Sequence, residues 1–455
     1  MKSAIVFGAG ISGKAAASLL VRNGYRVVVV CKFASSETDE LATNGVEILL
    51  GDPVVSARNF FEPGVANVLA IASPGIPLNA PELTLCAELN VRQMGELELG
   101  SKFLKGRIIA VTGSKGKSSL VKLIADTLSA AGITAVPCGN YGTAVCEVAL
   151  MERQPAVAVV ECSSFQLEGL GSIFKPASAM VLNLSHDHLD RHLTLERYRE
   201  AKLNLFQNMG EDGLQLLPAP SEDLHGLNAS YEARYGRTAV TFGRGADARW
   251  HYASGRVTDR ERGGSISILG SYFDNPILGP AAAAACALLR AEGLSEEAVE
   301  TGFRNFSPLP HRMQRIGEAN GVTFIDDSKA TSIAALLAGV QMAVPPVYLI
   351  AGGKLKEKIF VTGKEVVTLG VEKVYLIGDC MSEMKSAWCP ELPMELCGTL
   401  DEAVISASRD AQDGGTILLS PGTASFDQFK DYQQRGDCFA RIAKTMISKA
   451  AKSAN

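Results

Sequence analysis

The chain has 455 residues, 47% hydrophobic and 20% charged, with a net charge of −5. It is too long for one core, too apolar for wholesale disorder and too acidic to favour a phosphate-backbone partner, so no nucleic acid is expected. No apolar run is long enough to span a bilayer, and the ten cysteines include no C-x-x-C pair, which excludes disulfide and zinc-ribbon scaffolds and points to reduced thiols in the cytoplasm.

The first element in chain order is a strand, Ala4–Phe7, followed by Gly8-x-Gly10-x-x-Gly13 and an Ala/Leu helix running to Arg22. A glycine turn of this kind serves dinucleotide sites, but those need an acid at the end of the second strand to hold the ribose hydroxyls. Here Arg26–Val30 runs into Cys31-Lys32-Phe33. The spacing therefore favours tight helix–sheet packing or another phosphate ligand over NAD.

A second strand–loop–helix unit starts at Arg107. Its loop reads Thr112-Gly113-Ser114-Lys115-Gly116-Lys117-Ser118-Ser119, and its helix carries Leu120, Leu123, Ile124 and Leu128 on one face before Gly132. Glycines let backbone N–H groups turn inward around phosphate oxygens, and the helix N-terminus adds a favourable dipole. Lys117 is placed to reach the β/γ-phosphates of ATP, and Ser118 to contact Mg²⁺. Val111 stands where the longer P-loop pattern has its first glycine.

Val157–Val160 then reads as a buried strand ending in Glu161, a carboxylate suited to Mg²⁺ beside a phosphoryl-transfer site. Three of the six histidines fall within His186-Asp187-His188-Leu189-Asp190-Arg191-His192. Zinc lacks a matching cysteine or a distant ligand pattern, so one hard-metal or substrate ligand is the better reading of this stretch. The polar segment 210–271 resists assignment, and Ala281–Ala285 reads as helix. Past Pro308-Leu309-Pro310 come strand candidates Val347–Ala351, Val374–Ile377 and Ile417–Leu419.

Seven further segments follow in order: Ser73-Pro74-Gly75-Ile76-Pro77, Gly139-Asn140-Tyr141-Gly142, Ser163–Glu168, Asp187–His192, Leu309-Pro310-His311-Arg312, Asp327-Ser328-Lys329-Ala330-Thr331 and Ser420–Phe429. With them the chain resembles the Mur ligases over nearly its whole length, and the short phosphate loop is that family's usual form. The Asp327–Thr331 and Ala424–Phe429 segments favour the branch that adds D-glutamate.

The resemblance implies an α/β chain of three domains. These are a Rossmann-like UDP-sugar domain (1–93), a central P-loop ATPase-like domain (94–306) and a C-terminal Rossmann-like domain for the amino acid (307–455). It implies an ATP-dependent ligase, in cytoplasmic peptidoglycan precursor synthesis, joining D-glutamate to UDP-N-acetylmuramoyl-L-alanine through an acyl phosphate and acting as a monomer. By position, Lys117, Glu161, His188 and Lys202 would carry the catalysis. Gly113, Ser114, Lys115, Gly116, Lys117, Ser118, Ser119, Arg312 and Asp327 would bind ATP. Ile11, Ser12, Ser73, Gly75 and Asn140 would line the UDP-sugar site. His188, Lys329, Thr331, Lys356, Ser425 and Tyr432 would surround D-glutamate. Two Mg²⁺ ions are implied, with Ser118, Glu161, His188 and a carbamylated Lys202 as ligands.

The chain departs from the family at Cys31-Lys32, at Lys115, at Gly279–Ala287 and at Lys354–Ile359. The departures at Cys31 and Gly279–Ala287 leave a related amide ligase, for another Mur or a folate-type substrate, as the alternative. A nucleotide-binding regulator that has lost catalysis is opposed by the joint presence of Lys117, Glu161, His188, Lys202 and Lys329.

Overall fold

A computed structural model describes residues 2–61, 67–185, 189–356, 359, 361–411 and 414–453. Among them the chain forms three sheets, in two compact units. One unit comprises Met1–Asp274 and Leu278–Phe306; the other comprises Asn275–Ile277 and Ser307–Asn455. Alternating apolar strands and amphipathic helices dictate this class, because parallel strands need helical crossovers that also cover both faces of the sheet.

The first sheet has five parallel strands in the order Glu47–Leu50, Tyr25–Cys31, Lys2–Phe7, Val68–Ala72, Arg92–Gly95. The order reverses beside Lys2–Phe7, which places the ligand crevice of such a sheet at the end of that strand. The helix Ile11–Arg22 starts there. A Cβ on Gly13 would lie 1.9 Å from the Gly8 carbonyl oxygen, so the glycine pattern serves close helix–strand packing.

The second sheet, of nine strands, holds Arg107–Thr112 between Ser178–Val181 and Val157–Glu161, with Ala135–Gly139 at the edge. Leu120, Val121, Leu123, Ile124 and Leu128 of the helix Lys117–Ala130 are fully buried, each contributing about 1.5–3 kcal/mol of apolar burial. Gly132 follows with φ +85°, ending the helix as its position in the sequence indicates. The segment that resisted assignment extends this sheet with short strands. Leu214–Pro218, Val240–Gly243 and Trp250–Ala253 are parallel, and Arg256–Asp259 and Ser265–Ser267 turn back antiparallel.

The alanine run is the core of the buried helix Gly279–Ala291. Small side chains let this helix lie against Tyr252, whose ring atoms would stand 2.1–2.6 Å from a Cβ on Gly279. Gly279→Ala should therefore destabilise the chain by about 1–3 kcal/mol through overpacking, read as a lower denaturant midpoint. An unchanged midpoint would show that the Tyr252 ring can move aside.

In the second unit, six strands run in the order Gln314–Ala319, Val322–Asp326, Thr416–Leu419, Val347–Gly352, Val371–Ile377, Met394–Gly398. The first pair is antiparallel and the rest are parallel. The three strand candidates of the C-terminal region all lie within these elements. No helix among the described residues is long and apolar enough to cross a membrane.

Candidate active site

The phosphate loop links the buried strand Arg107–Thr112 to the helix Lys117–Ala130, so its backbone is held at both ends. Gly113 (φ +148°) and Gly116 (φ +84°) take conformations that side chains disfavour and turn the loop around its own centre. Lys117 Nζ donates to the carbonyls of Gly113 (2.8 Å) and Ser114 (3.0 Å). A lysine folded onto its own loop stands where a phosphate would draw it away. Ser118 opens the helix half-buried, and Ser119 is buried behind it.

Glu161 ends the neighbouring strand, in register with Val111, and is 2% exposed. One carboxylate oxygen accepts from Asn140 Nδ2 at 2.8 Å; the other, Oε2, is buried with no hydrogen-bond partner. A buried, partnerless carboxylate oxygen is costly unless something cationic meets it. This donor fits Mg²⁺, a hard cation that takes oxygen ligands. Asn140, which the resemblance puts in the UDP-sugar site, thus also orients Glu161.

Lys202 is 1% exposed, its Nζ 2.8 Å from the Gly113 carbonyl oxygen and 4.4 Å from the centre of the Tyr198 ring. The structure therefore brings Glu161 and Lys202, 44 and 85 residues beyond Lys117 in sequence, to the loop that carries Lys117. His188, with His186 and Asp187, lies outside the described residues. His192 is buried, with Nε2 2.9 Å from Ser164 Oγ and its ring beside Phe165 and Tyr198.

Sequence reasoning missed how the loop is fastened. Asn183 Oδ1 accepts from the backbone N–H groups of Ser114 (3.0 Å) and Lys115 (2.9 Å), while its Nδ2 donates to the Lys115 carbonyl (3.1 Å). Ser114 Oγ adds contacts to the Ser185 N–H and to Tyr198 Oη. Asn183→Ala should raise the KM for ATP about tenfold while the fold persists, measured by steady-state kinetics beside a melting curve, because only the loop loses its bonds. An unchanged KM would leave the loop self-supporting.

At the nucleotide-sugar end, Ile11 is 75% exposed at the helix start and Ser12 follows it half-buried. Ser73 Oγ is buried without a partner, and Gly75 is exposed. Arg191 ties this loop to the helix Ser164–Glu168: it donates to the carbonyls of Pro74 (2.9 Å) and Ile76 (3.2 Å), pairs with Glu168 (2.9 Å) and lies over Phe165. Cys31, where an acid is usual, is half-buried, and desolvation raises its thiol pKa.

In the second unit, Lys329 Nζ sits 3.7 Å from the Tyr432 ring centre, and Ser425 is buried on a nearby loop. A residue the sequence did not single out organises this region. Arg435, fully buried, donates to Ser328 Oγ (3.0 Å) and to the carbonyls of Ser328 (2.9 Å), Thr423 (3.1 Å) and Ala424 (3.4 Å). It clamps the Asp327–Thr331 segment to the Ser425 loop, and burial lowers its pKa to about 10. Thr331 and Arg312 are half-buried. Lys356 is exposed, and Glu357 and Lys358 lie outside the described residues.

Asp327 is buried, and desolvation raises its pKa to about 7 against the opposing bonds from Ser420 Oγ (2.9 Å) and the Met313 N–H (3.2 Å). The shift is upward, so the folded form retains a proton that an unfolded aspartate has released. Stability from this group is therefore full below the ordinary carboxylate range and is lost as pH rises towards 7. Asp327→Asn should flatten the fall in melting temperature between pH 5 and 8; an identical slope would place that titration elsewhere.

Residues 111–280 match the Mur ligase middle domain family. The chain is 34% identical to the UDP-N-acetylmuramoylalanine–D-glutamate ligase of Nitratidesulfovibrio vulgaris (strain DP4), covering 97% of this chain and 96% of that one. It is 33% identical to the ligase of the same name from Myxococcus xanthus (strain DK1622), covering 97% and 98%. The MurF ligase of Thermotoga maritima in complex with ADP shares the fold, with a TM-score of 0.60 at 15% identity over 93% of this chain and 95% of that one. Fold, phosphate loop and flanking carboxylate define a Mur ligase. Within that class, the chain belongs to the UDP-N-acetylmuramoylalanine–D-glutamate ligase family.

Proposed function

We propose that the chain joins D-glutamate to UDP-N-acetylmuramoyl-L-alanine, using ATP to activate the muramoyl-alanine carboxylate as an acyl phosphate. The observation that carries this reading is the convergence of Lys117, Lys202 and the partnerless Glu161 oxygen on the phosphate loop, in a chain of this family. A carboxylate is a poor electrophile and ATP is strongly anionic, so their approach needs cationic screening. Lys117 leaves its loop carbonyls for the ATP phosphates, and the loop N–H groups of Gly113–Ser119 orient them. Arg312 and Asp327 complete the ATP contacts.

Mg²⁺, when bound, screens the phosphates. Ser118 and Glu161 would hold one ion, and His188 with a carbamylated Lys202 a second. Ile11, Ser12, Ser73, Gly75 and Asn140 would hold the nucleotide sugar. Lys329, Thr331, Lys356, Ser425, Tyr432 and His188 would surround D-glutamate, whose amine attacks the acyl phosphate carbon and expels phosphate. Positioning supplies most of the rate, because transfer asks little covalent chemistry of the protein.

We also place domain boundaries near residues 93 and 306, and the enzyme as a cytoplasmic monomer. Phosphate release from ATP should require both D-glutamate and UDP-N-acetylmuramoyl-L-alanine. Release with neither present, or with a preference for another amino acid, would overturn the reading and restore the related-ligase alternative.

A further inference from the structure

The nine-stranded sheet has a second concavity, at the edge opposite the phosphate loop. A cavity of ≈ 740 Å³ opens at the starts of the strands Leu214–Pro218, Val240–Gly243 and Trp250–Ala253, beside the last turn of the helix Gly279–Ala291. Its size falls within the range of small-molecule sites, about 300–1,000 Å³.

Four arginines line it: Arg237, Arg249, Arg262 and Arg290. Arg249 is neutralised by Asp259 (3.2 Å) and Glu261. Arg237, Arg262 and Arg290 pair with no carboxylate among the described residues; Arg290 Nη1 donates to the Leu294 carbonyl, and the Nε–H of Arg237 is buried without an acceptor. A buried donor left unpaired is costly, and a guanidinium fork matches phosphate oxygens. Tyr231 and Trp250 give the cavity an aromatic wall.

Three other carboxylates border it. Glu296 stands in the first turn of the helix Glu296–Asn305, where the helix dipole favours an anion, and Glu211 and Asp212 are exposed on the turn before Leu214.

We propose that this cavity is a binding site for a small phosphate ester, separate from the ATP site. Arg237, Arg262 and Arg290 take the phosphate, and Trp250 flanks the organic part.

The test uses inorganic pyrophosphate as probe and calorimetry as readout, on full-length Lys117→Ala, in which the phosphate loop has lost its lysine. One-site binding is expected, weakened at least tenfold by adding Arg237→Gln or Arg262→Ala. Arg262 is exposed, so its variant should fold normally, and circular dichroism checks both. No binding to Lys117→Ala would overturn the proposal. So would binding indifferent to both arginine variants, which belongs to the phosphate loop. Equal binding of citrate at the same concentrations would overturn phosphate as the recognised group.

Discussion

Glu161→Gln should lower kcat/KM for D-glutamate-dependent phosphate release by about 10²–10³, which is about 3–4 kcal/mol of transition-state stabilisation. The substitution is chosen because it is nearly isosteric. A glutamine can still accept from Asn140 Nδ2, so the 2.8 Å bond to that residue and the end of the strand Val157–Glu161 are kept. What changes is the second oxygen, buried and partnerless, which becomes an N–H₂ donor. A neutral group cannot replace a carboxylate towards a hard cation. The variant should therefore need a higher Mg²⁺ concentration for half-maximal rate, and excess Mg²⁺ should restore part of the loss. Activity within twofold of the parent at all Mg²⁺ concentrations would reduce Glu161 to an anchor for Asn140.

That residue was legible in the sequence because its signal is local: an apolar run of four, then one acid, where a parallel strand must end. The phosphate loop was legible for the same reason, since glycines, lysine and serines sit between a strand and an amphipathic helix. Asn183 was not, although it lies only four residues before the segment Asp187–His192. Its bonds reach Ser114 and Lys115 across 69 and 68 positions, and nothing in its neighbours announces them. Arg435 was hidden differently. Its partners are Ser328 and three backbone carbonyls, which leave no charge pattern to read, and an arginine near the start of a long helix reads by default as solvated. The region 210–271 failed because its strands span only three to five residues and alternate weakly between faces. The helix at Ala281–Ala285 succeeded because alanine has the highest intrinsic helix preference.

Lys202→Ala should abolish nearly all turnover, by about 10³ or more in kcat, and short-chain carboxylic acids should restore at least tenfold of it. The argument starts from burial. The side chain is 1% exposed, its nitrogen touches the Gly113 carbonyl at 2.8 Å, and it lies beside the Tyr198 ring. Burying an ammonium is expensive, and a carbamate on this nitrogen is what the proposed function assigns to it. Under that reading the amine would add carbon dioxide and release a proton, and the carbamate would carry two oxygens and a negative charge to the wall of the phosphate loop. Alanine removes the whole arm and leaves space for a small acid to supply the same two oxygens. The opposing reading keeps Lys202 as an ammonium that fastens Gly113. Under that reading small amines, and not acids, should rescue the variant, so the two rescues separate the roles. Activity unaffected by Lys202→Ala would remove both, and would leave Lys117 and the loop N–H groups as the positive elements facing the phosphates.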